Sequence, residues 1–130
     1  MEKKIINPWQ WQDELSYVQA IEVKNVQGTL YVSGQAAVHS DGTSSNADMR
    51  TQLKLAIQNL EKVINEADYD CSNIVRLTVY STSSEEFIKN CFDLFQDFVK
   101  KYGMKQTVTL LQVVSLYETL NIELEATVVK

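Results

Sequence analysis

The sequence predicts an α+β fold in which two helices cover one face of a mixed β-sheet. Two segments place apolar residues at the spacing of three and four that is typical of amphipathic helices. Five further segments show apolar–polar alternation or β-branched runs, which indicate strands. Their order is β-β-α-β-α-β-β, and 130 residues is the usual size of one domain. We therefore expect a single domain over residues 1–130, with residues 1–14 as an N-terminal tail.

The first two strands are predicted to form a hairpin. Residues 19–24 alternate apolar and polar side chains, and residues 25–28 have the composition of a turn. Residues 29–33 then continue as the second strand. A polar segment over residues 39–47 predicts a loop before the first helix.

Two amphipathic helices are predicted next. The second begins at a Ser83–Glu86 capping box, in which each residue satisfies the backbone amide of the other, and ends at Gly103, which supplies a left-handed stop. The apolar stripe of the first helix is Met49, Leu53, Ala56, Leu60, Val63 and Ala67, and that of the second is Phe87, Cys91, Leu94, Phe98 and Tyr102.

Three strands complete the predicted sheet, at residues 74–80, 107–114 and 121–129. The face away from the helices is predicted to be semi-polar, because it is too apolar for open water and too polar for a dry core. Such a face usually meets another subunit and leaves pockets at the seams, so we expect a homo-oligomer. The residues predicted on this face are Tyr31, Thr78, Tyr80, Glu123, Glu125 and Thr127.

Composition excludes several function classes. Twelve Lys and Arg residues against seventeen Asp and Glu residues give a formal net charge of 12 − 17 = −5. The chain also has no long basic run, so neither nucleic acid nor an anionic membrane is expected as a partner. The single His39 and the widely separated Cys71 and Cys91 predict no metal and no cofactor, and no glycine pair matches a phosphate loop. Free thiols and the absence of an apolar span predict a cytoplasmic location.

Four short motifs follow one another in an order known from one family. Ser16-Tyr17-x-Gln19 precedes the first strand, residues 30–35 spell L-Y-V-S-G-Q, and residues 122–126 spell I-E-L-E-A. With Asn90 in the second helix, this pattern over residues 15–129 resembles the RidA/YjgF family of enamine/imine deaminases. The resemblance implies a chorismate-mutase-like sandwich. It also implies a homotrimer with a small-molecule cleft at each of three subunit seams.

The resemblance also implies a chemistry, the hydrolysis of reactive 2-iminoacids and their enamines to 2-ketoacids and ammonia. By resemblance, Glu123 positions the attacking water and Tyr17 closes the cleft, which makes them the candidate catalytic residues. Ser33 and Gly34 of the L-Y-V-S-G-Q motif are candidate substrate-binding residues, and Asn90 braces the cleft.

One residue of the family pattern is missing. The family places an arginine, which clamps the substrate carboxylate, at the position of Val108, and Leu110 follows on the same strand. A buried bidentate contact of this kind contributes about 2–4 kcal/mol, so its loss is expected to weaken carboxylate handling by about 30- to 1000-fold. We expect Val108 and Leu110 to form an apolar cleft wall and 2-iminoacid hydrolysis to be weak or absent.

Two function classes therefore stay open: an imine or enamine deaminase, and a non-catalytic trimer that binds a small metabolite. Glu123 also fits a solvated strand face, and Tyr17 also fits an ordinary packed aromatic residue. Trp9 and Trp11 are interpreted either as a lid over the cleft or as an anchor for the N-terminal tail. The endoribonuclease activity described for some family members fits poorly with the net charge of −5.

Overall fold

The structure, a computed structural model, describes residues 1–130. It contains six strands and three α-helices, one strand and one helix more than the sequence predicted. Short 3₁₀ turns precede β2 and β4. The strands are β1 (Glu2–Ile6), β2 (Ala20–Lys24), β3 (Thr29–Ala36), β4 (Ile74–Ser81), β5 (Thr107–Gln112) and β6 (Ile122–Val129), and the helices are α1 (Met49–Glu66), α2 (Ser84–Asn90) and α3 (Phe92–Tyr102).

A four-stranded sheet in the order β3-β6-β4-β5 forms one layer of the fold. The β4–β5 pair is parallel and the other pairs are antiparallel, so the sheet is mixed, as predicted. The alternation along β6 is confirmed, because Leu124 and Ala126 are buried among the core side chains while Glu125 is exposed. The helices cover that apolar face, and none of them has the length and apolarity needed to cross a membrane.

The predicted hairpin between the first two strands is wrong. The strand over residues 20–24 pairs instead with β1, where Ile5 lies opposite Ile21, and the two form a separate antiparallel ribbon. The strand β3 pairs with β6, and this ladder continues into mutual backbone hydrogen bonds between Gly28 and Lys130 at 3.0 Å. Alternation establishes that a segment is a strand but not which strand it pairs with. The segment described as a tail supplies the partner.

The predicted second helix is in fact two helices, separated at Cys91. This residue has φ −129° and ψ −12°, outside the helical range. The carbonyl of Asn90 accepts a hydrogen bond from Arg50 Nη1 at 2.9 Å, and the same guanidinium holds Asp93 by two bonds of 2.6 and 2.8 Å. A side chain from α1 therefore takes a carbonyl that an unbroken helix would use, and this contact marks the break.

The helix stripes and termini follow the prediction with small corrections. In α1, Val63 is 39% exposed, and Ile64 takes its place in the core. The capping box at α2 is half formed, because the Ser83 hydroxyl accepts from the Glu86 amide at 3.1 Å while the Ser83 amide donates to another serine. Gly103 has φ +58° and ends α3 in the left-handed conformation that the sequence predicted.

Candidate functional site

The predicted site residues lie on opposite faces of the sheet. Val108 lies beside Leu77, which is buried under the helices, and Leu110 lies on the same side of β5. Glu123 lies beside Tyr80 on the face turned away from the helices. Paired residues in neighbouring strands project to the same face. Within one chain, Val108 and Glu123 are therefore separated by the thickness of the sheet and do not line one wall.

An apolar pocket lies on the helix side of the sheet, at the edge formed by β5. Its volume is about 350 Å³, and all nine lining side chains are hydrophobic. The phenol hydroxyl of Tyr17 is the only polar group that these side chains carry. The pocket brings three predicted site residues together, since its lining consists of Leu15, Tyr17, Val79, Phe87, Ile88, Phe92, Phe95, Val108 and Leu110.

The phenylalanines of the pocket were assigned to the core by the sequence analysis or were not singled out. Phe87 and Phe95 are buried, yet each presents part of its ring to the pocket. Helical spacing alone reports that these rings face inward, not that a space is left between them and the sheet. The break at Cys91 tilts the chain between the two rings, and this tertiary feature has no signal in the periodicity.

Aromatic side chains continue from the pocket onto the surface. Trp11 contacts Tyr17 edge-on, with ring centroids 6.5 Å apart and planes at 71°. Trp9 stacks on Trp11, with centroids 6.1 Å apart and planes at 27°. Both indoles are more than half exposed, at 57% and 58%. The W-x-W segment thus lies on the surface beside Tyr17, one of the residues that line the pocket.

A larger, polar cavity lies beside the apolar pocket and shares Tyr17 with it. Its volume is about 600 Å³, and Lys100 and Lys105 lie on its wall with Asp13 and Asp97. The two lysines of this cavity therefore share it with two carboxylates. No charged side chain lines the apolar pocket itself.

Glu123 lies against Gly34 on the other face of the sheet. A Cβ atom at Gly34 would lie 2.6 Å from both Cδ and Oε2 of Glu123, closer than side chains tolerate. The register of β3 against β6 shifts between Val32 and Gln35, so Ser33 and Gly34 form a β-bulge. The bulge and the missing side chain together let the carboxylate lie over the backbone.

The carboxyl of Glu123 is in an unfavourable place for a charge. It is half-buried, and burial together with the nearby Glu125 raises its pKa above the ordinary value. Glu125 accepts a hydrogen bond from the Tyr80 hydroxyl at 3.1 Å, and Arg76 donates to Thr109 at 2.7 Å. A carboxylate with a raised pKa is a stronger base than an exposed one, so Glu123 is suited to accept a proton from water.

The raised pKa predicts how stability depends on pH. The folded protein holds the Glu123 proton more tightly than the unfolded chain does, so the free energy of unfolding falls as pH rises from the unfolded pKa through the folded one. Glu123→Gln removes this term. We expect the variant to gain melting temperature relative to wild type as pH rises from acid toward neutral, then to keep a constant advantage. A melting-temperature difference that does not change with pH would contradict the assignment.

Asn90 lies apart from both groups of site residues. It is the last residue of α2 and lies on the surface. Its backbone carbonyl accepts a hydrogen bond from the Arg50 guanidinium. Ile88, two residues earlier on α2, lines the apolar pocket. A role for the Asn90 amide at a ligand cleft stays a prediction.

Comparison with known proteins identifies the family. The family described as endoribonuclease L-PSP matches residues 11–130. A crystal structure of YyfB from Yersinia pestis, a protein of unknown function from the conserved Rid protein family, superposes with a TM-score of 0.80 at 25% identity over the full length of both chains. The chain belongs to the Rid family. The RidA/YjgF resemblance of its motifs is thereby confirmed.

Curated relatives of this Rid protein align over most of their length. A RutC family protein of Aquifex aeolicus is 27% identical over 114 residues, which cover 88% of each chain. TdcF of Escherichia coli, whose name proposes it as a reactive intermediate deaminase, is 25% identical over 114 residues, covering 88% of this chain and 86% of TdcF. General membership of a deaminase-type family is therefore supported on the scale of the whole chain.

Solved structures confirm the fold. TdcF of Escherichia coli, crystallised with bound serine, gives a TM-score of 0.71 at 24% identity and covers 88% of this chain and 87% of its own. The YjgF gene product of Escherichia coli gives 0.69 at 23% identity, with coverage of 88% and 87%. The predicted α+β, chorismate-mutase-like architecture is thus confirmed, with the added strand and the helix break as its local departures.

Proposed function

We propose that this Rid protein is a homotrimer that hydrolyses reactive enamine or imine metabolites in clefts between its subunits. The observation that carries the proposal is the division of the candidate site between two faces. One face holds the Gly34–Glu123 carboxylate, and the other holds the apolar pocket at Tyr17. A second copy of the chain can bring the carboxylate of one subunit to the pocket of the next.

The face away from the helices has the character of an interface. Tyr31 is 81% exposed, whereas Thr78 on the same face is 7% exposed. A large exposed aromatic side chain on the same face as the half-buried Glu123 is costly in water and is expected to be covered by protein. In a closed ring of three subunits this face would turn inward, and each sheet edge with its pocket would meet a neighbour.

The chemistry of the cleft follows from its groups. Water adds to the carbon of the C=N bond while Glu123 accepts the water proton. This proton is returned to nitrogen, which gives a carbinolamine. Its hydroxyl proton then moves to the amino group, again through Glu123, and the C–N bond breaks, so that ammonia leaves as the carbonyl forms and atoms and charge balance without a cofactor. The Tyr17 hydroxyl is the group of the pocket that can bond to the substrate during these steps. The deaminase name of the TdcF relative supports the same reaction class.

The pocket wall determines which imines are handled well. Val108 and Leu110 offer a carboxylate no hydrogen bond and no charge, so 2-iminoacids are expected to be poor substrates. The same apolar wall favours the second candidate function, a trimer that binds a small metabolite without turning it over. The two candidate functions predict different results for one measurement, the rate at which the protein hydrolyses an imine.

A mixed-subunit experiment tests the shared site. Tyr17→Ala disables the pocket and Glu123→Gln disables the carboxylate, and each variant alone is expected to be inactive. Mixed trimers contain wild-type seams wherever an intact pocket meets an intact carboxylate, about one quarter of seams for random mixing. Co-expression is therefore expected to restore about a quarter of the wild-type rate on an imine generated by a flavin-dependent amine oxidase, measured against semicarbazide trapping.

Two further measurements accompany the mixing experiment. Light scattering should give three times the chain mass of 14.8 kDa for wild type and for both variants. Leu110→Trp, which fills the pocket, should complement Glu123→Gln in the same way as Tyr17→Ala does. A monomer at micromolar concentration, or active wild type with no complementation in either pairing, would contradict a site shared between subunits. A trimer that binds ligand but leaves the imine untouched would favour the non-catalytic function.

A further inference from the structure

The apolar pocket has the size and walls of a binding site for one aromatic ring. Cavities of about 150 Å³ already accept benzene, and ligand pockets start at about 300 Å³. At about 350 Å³, this pocket has room for one substituted ring.

The walls are aromatic, and their rings already pack against one another. Phe92 and Phe95 stack with centroids 5.8 Å apart, and Phe87 meets both edge-on at 6.3 and 6.1 Å. Rings in such a cluster offer both edges and faces, to which another ring can pack in offset or T-shaped geometry. Val108 and Leu110 close the opposite wall with aliphatic groups.

Charge is excluded from this space. Moving a carboxylate from water into an apolar site without a partner is strongly unfavourable. The pocket offers no cation, and Arg76, on the other face of the sheet, is engaged with Thr109. Selection between two ligands of equal shape should therefore depend on their charge.

The tryptophans extend the aromatic surface outward from the mouth. Trp11 packs against Tyr17, which is itself part of the lining, whereas Trp9 stacks on Trp11. Trp11 is therefore placed to contact the exposed edge of a ligand, and Trp9 is one layer farther out. These are also the only two tryptophans of the chain.

We propose that the pocket selects an uncharged aromatic ligand of one ring, with Trp11 as part of its mouth, and that the protein's substrates are imines of this class. The substrate part rests on the function proposed above; the binding part does not. In this arrangement Val108 and Leu110 determine specificity by admitting the ring and rejecting the carboxylate.

Benzamide and benzoate form a matched pair of probes, because they share a shape and differ in charge. Tryptophan emission should report benzamide binding to the full-length protein, with benzoate at least tenfold weaker. Trp11→Phe should remove most of the emission change while Trp9→Phe keeps it. Val108→Arg should strengthen benzoate binding at least tenfold and so remove most of the preference for benzamide, whereas Val108→Thr, which is similar in shape and uncharged, should not.

Each outcome decides one of the two proposals. Equal affinity for the two probes, or no binding of benzamide by ligand-observed NMR, overturns the binding proposal even if an imine is hydrolysed. Charge-selective binding without hydrolysis of benzaldehyde imine upholds the pocket assignment and overturns the proposed activity. Should Val108→Arg fail to fold, Leu110→Lys supplies a cation on the same wall and must raise benzoate affinity for the assignment to stand.

Discussion

Replacing Glu123 with glutamine is expected to slow hydrolysis of an uncharged imine by about 10²- to 10⁴-fold, the usual contribution of general acid–base catalysis. The amide keeps the size of the side chain but loses the negative charge and the ability to accept a proton. Because the raised pKa of Glu123 arises from burial and Glu125, removing the carboxylate also removes an unfavourable charge. The variant should therefore fold and assemble while its activity is lost. Steady-state rates under semicarbazide competition provide the measurement.

Two matched variants sharpen this prediction. Gly34→Ala leaves the carboxyl group intact but places a Cβ atom where the Glu123 carboxylate now lies, at 2.6 Å, so the side chain must move. We expect this single added methyl group to cause most of the loss of activity that Glu123→Gln causes. Glu125→Gln is the control, because Glu125 lies on the same face and its carboxylate accepts a hydrogen bond from the Tyr80 hydroxyl, whereas the Cβ atom added at Gly34 would meet Glu123.

The control should also change the pH profile in a defined direction. Without the neighbouring negative charge, the pKa of Glu123 falls, so the pH at which activity rises should move toward acid in Glu125→Gln. Full activity in both Glu123→Gln and Gly34→Ala would show that the carboxylate is a structural feature of the face. A loss of activity in Glu125→Gln as severe as that in Glu123→Gln would indicate general damage at the interface.

Introducing an arginine at position 108 is expected to raise the hydrolysis of 2-iminoacids by about 30- to 1000-fold over wild type, the reverse of the loss calculated for a bidentate contact. Val108 points into the pocket from β5, so a guanidinium there can reach a ligand held against Tyr17. The same change should slow turnover of the uncharged imine, because the charge and the bulk fill part of the apolar space. The measurement is the rate of hydrolysis of both substrates by wild type and variant. The 2-iminoacid is generated by an amino-acid oxidase.

Val108→Leu separates charge from size, since it adds bulk to the same wall without a cation. It should leave 2-iminoacid turnover as low as in wild type. Wild-type rates on 2-iminoacids equal to those of an arginine-bearing relative would contradict the assignment of the pocket. Such a result would mean that another cation, Arg76 across the seam or Lys105 of the polar cavity, meets the carboxylate.

Local patterns in the sequence determine most of the elements of this protein. The strict alternation along β6 assigns Leu124 to the core and Glu123 to the opposite face, because side chains of a strand alternate with period two. The stop at Gly103 follows from the positive φ that glycine adopts freely. Together with the motif resemblance, these patterns were sufficient for the fold class and the family.

Tertiary structure alone decided how those elements combine into a site. Val108 and Leu110 alternate with Thr107 and Thr109, so the sequence places these two apolar residues on one face of the strand, but it does not show on which side of the sheet that face lies for Val108. Its pairing with Leu77 turns it toward the helices, away from Glu123. The sequence also did not predict the pairing of β2 with β1 or the helix break at Cys91. Each depends on contacts between residues far apart in the chain, such as Arg50 with Asn90, and local propensity contains no information about them.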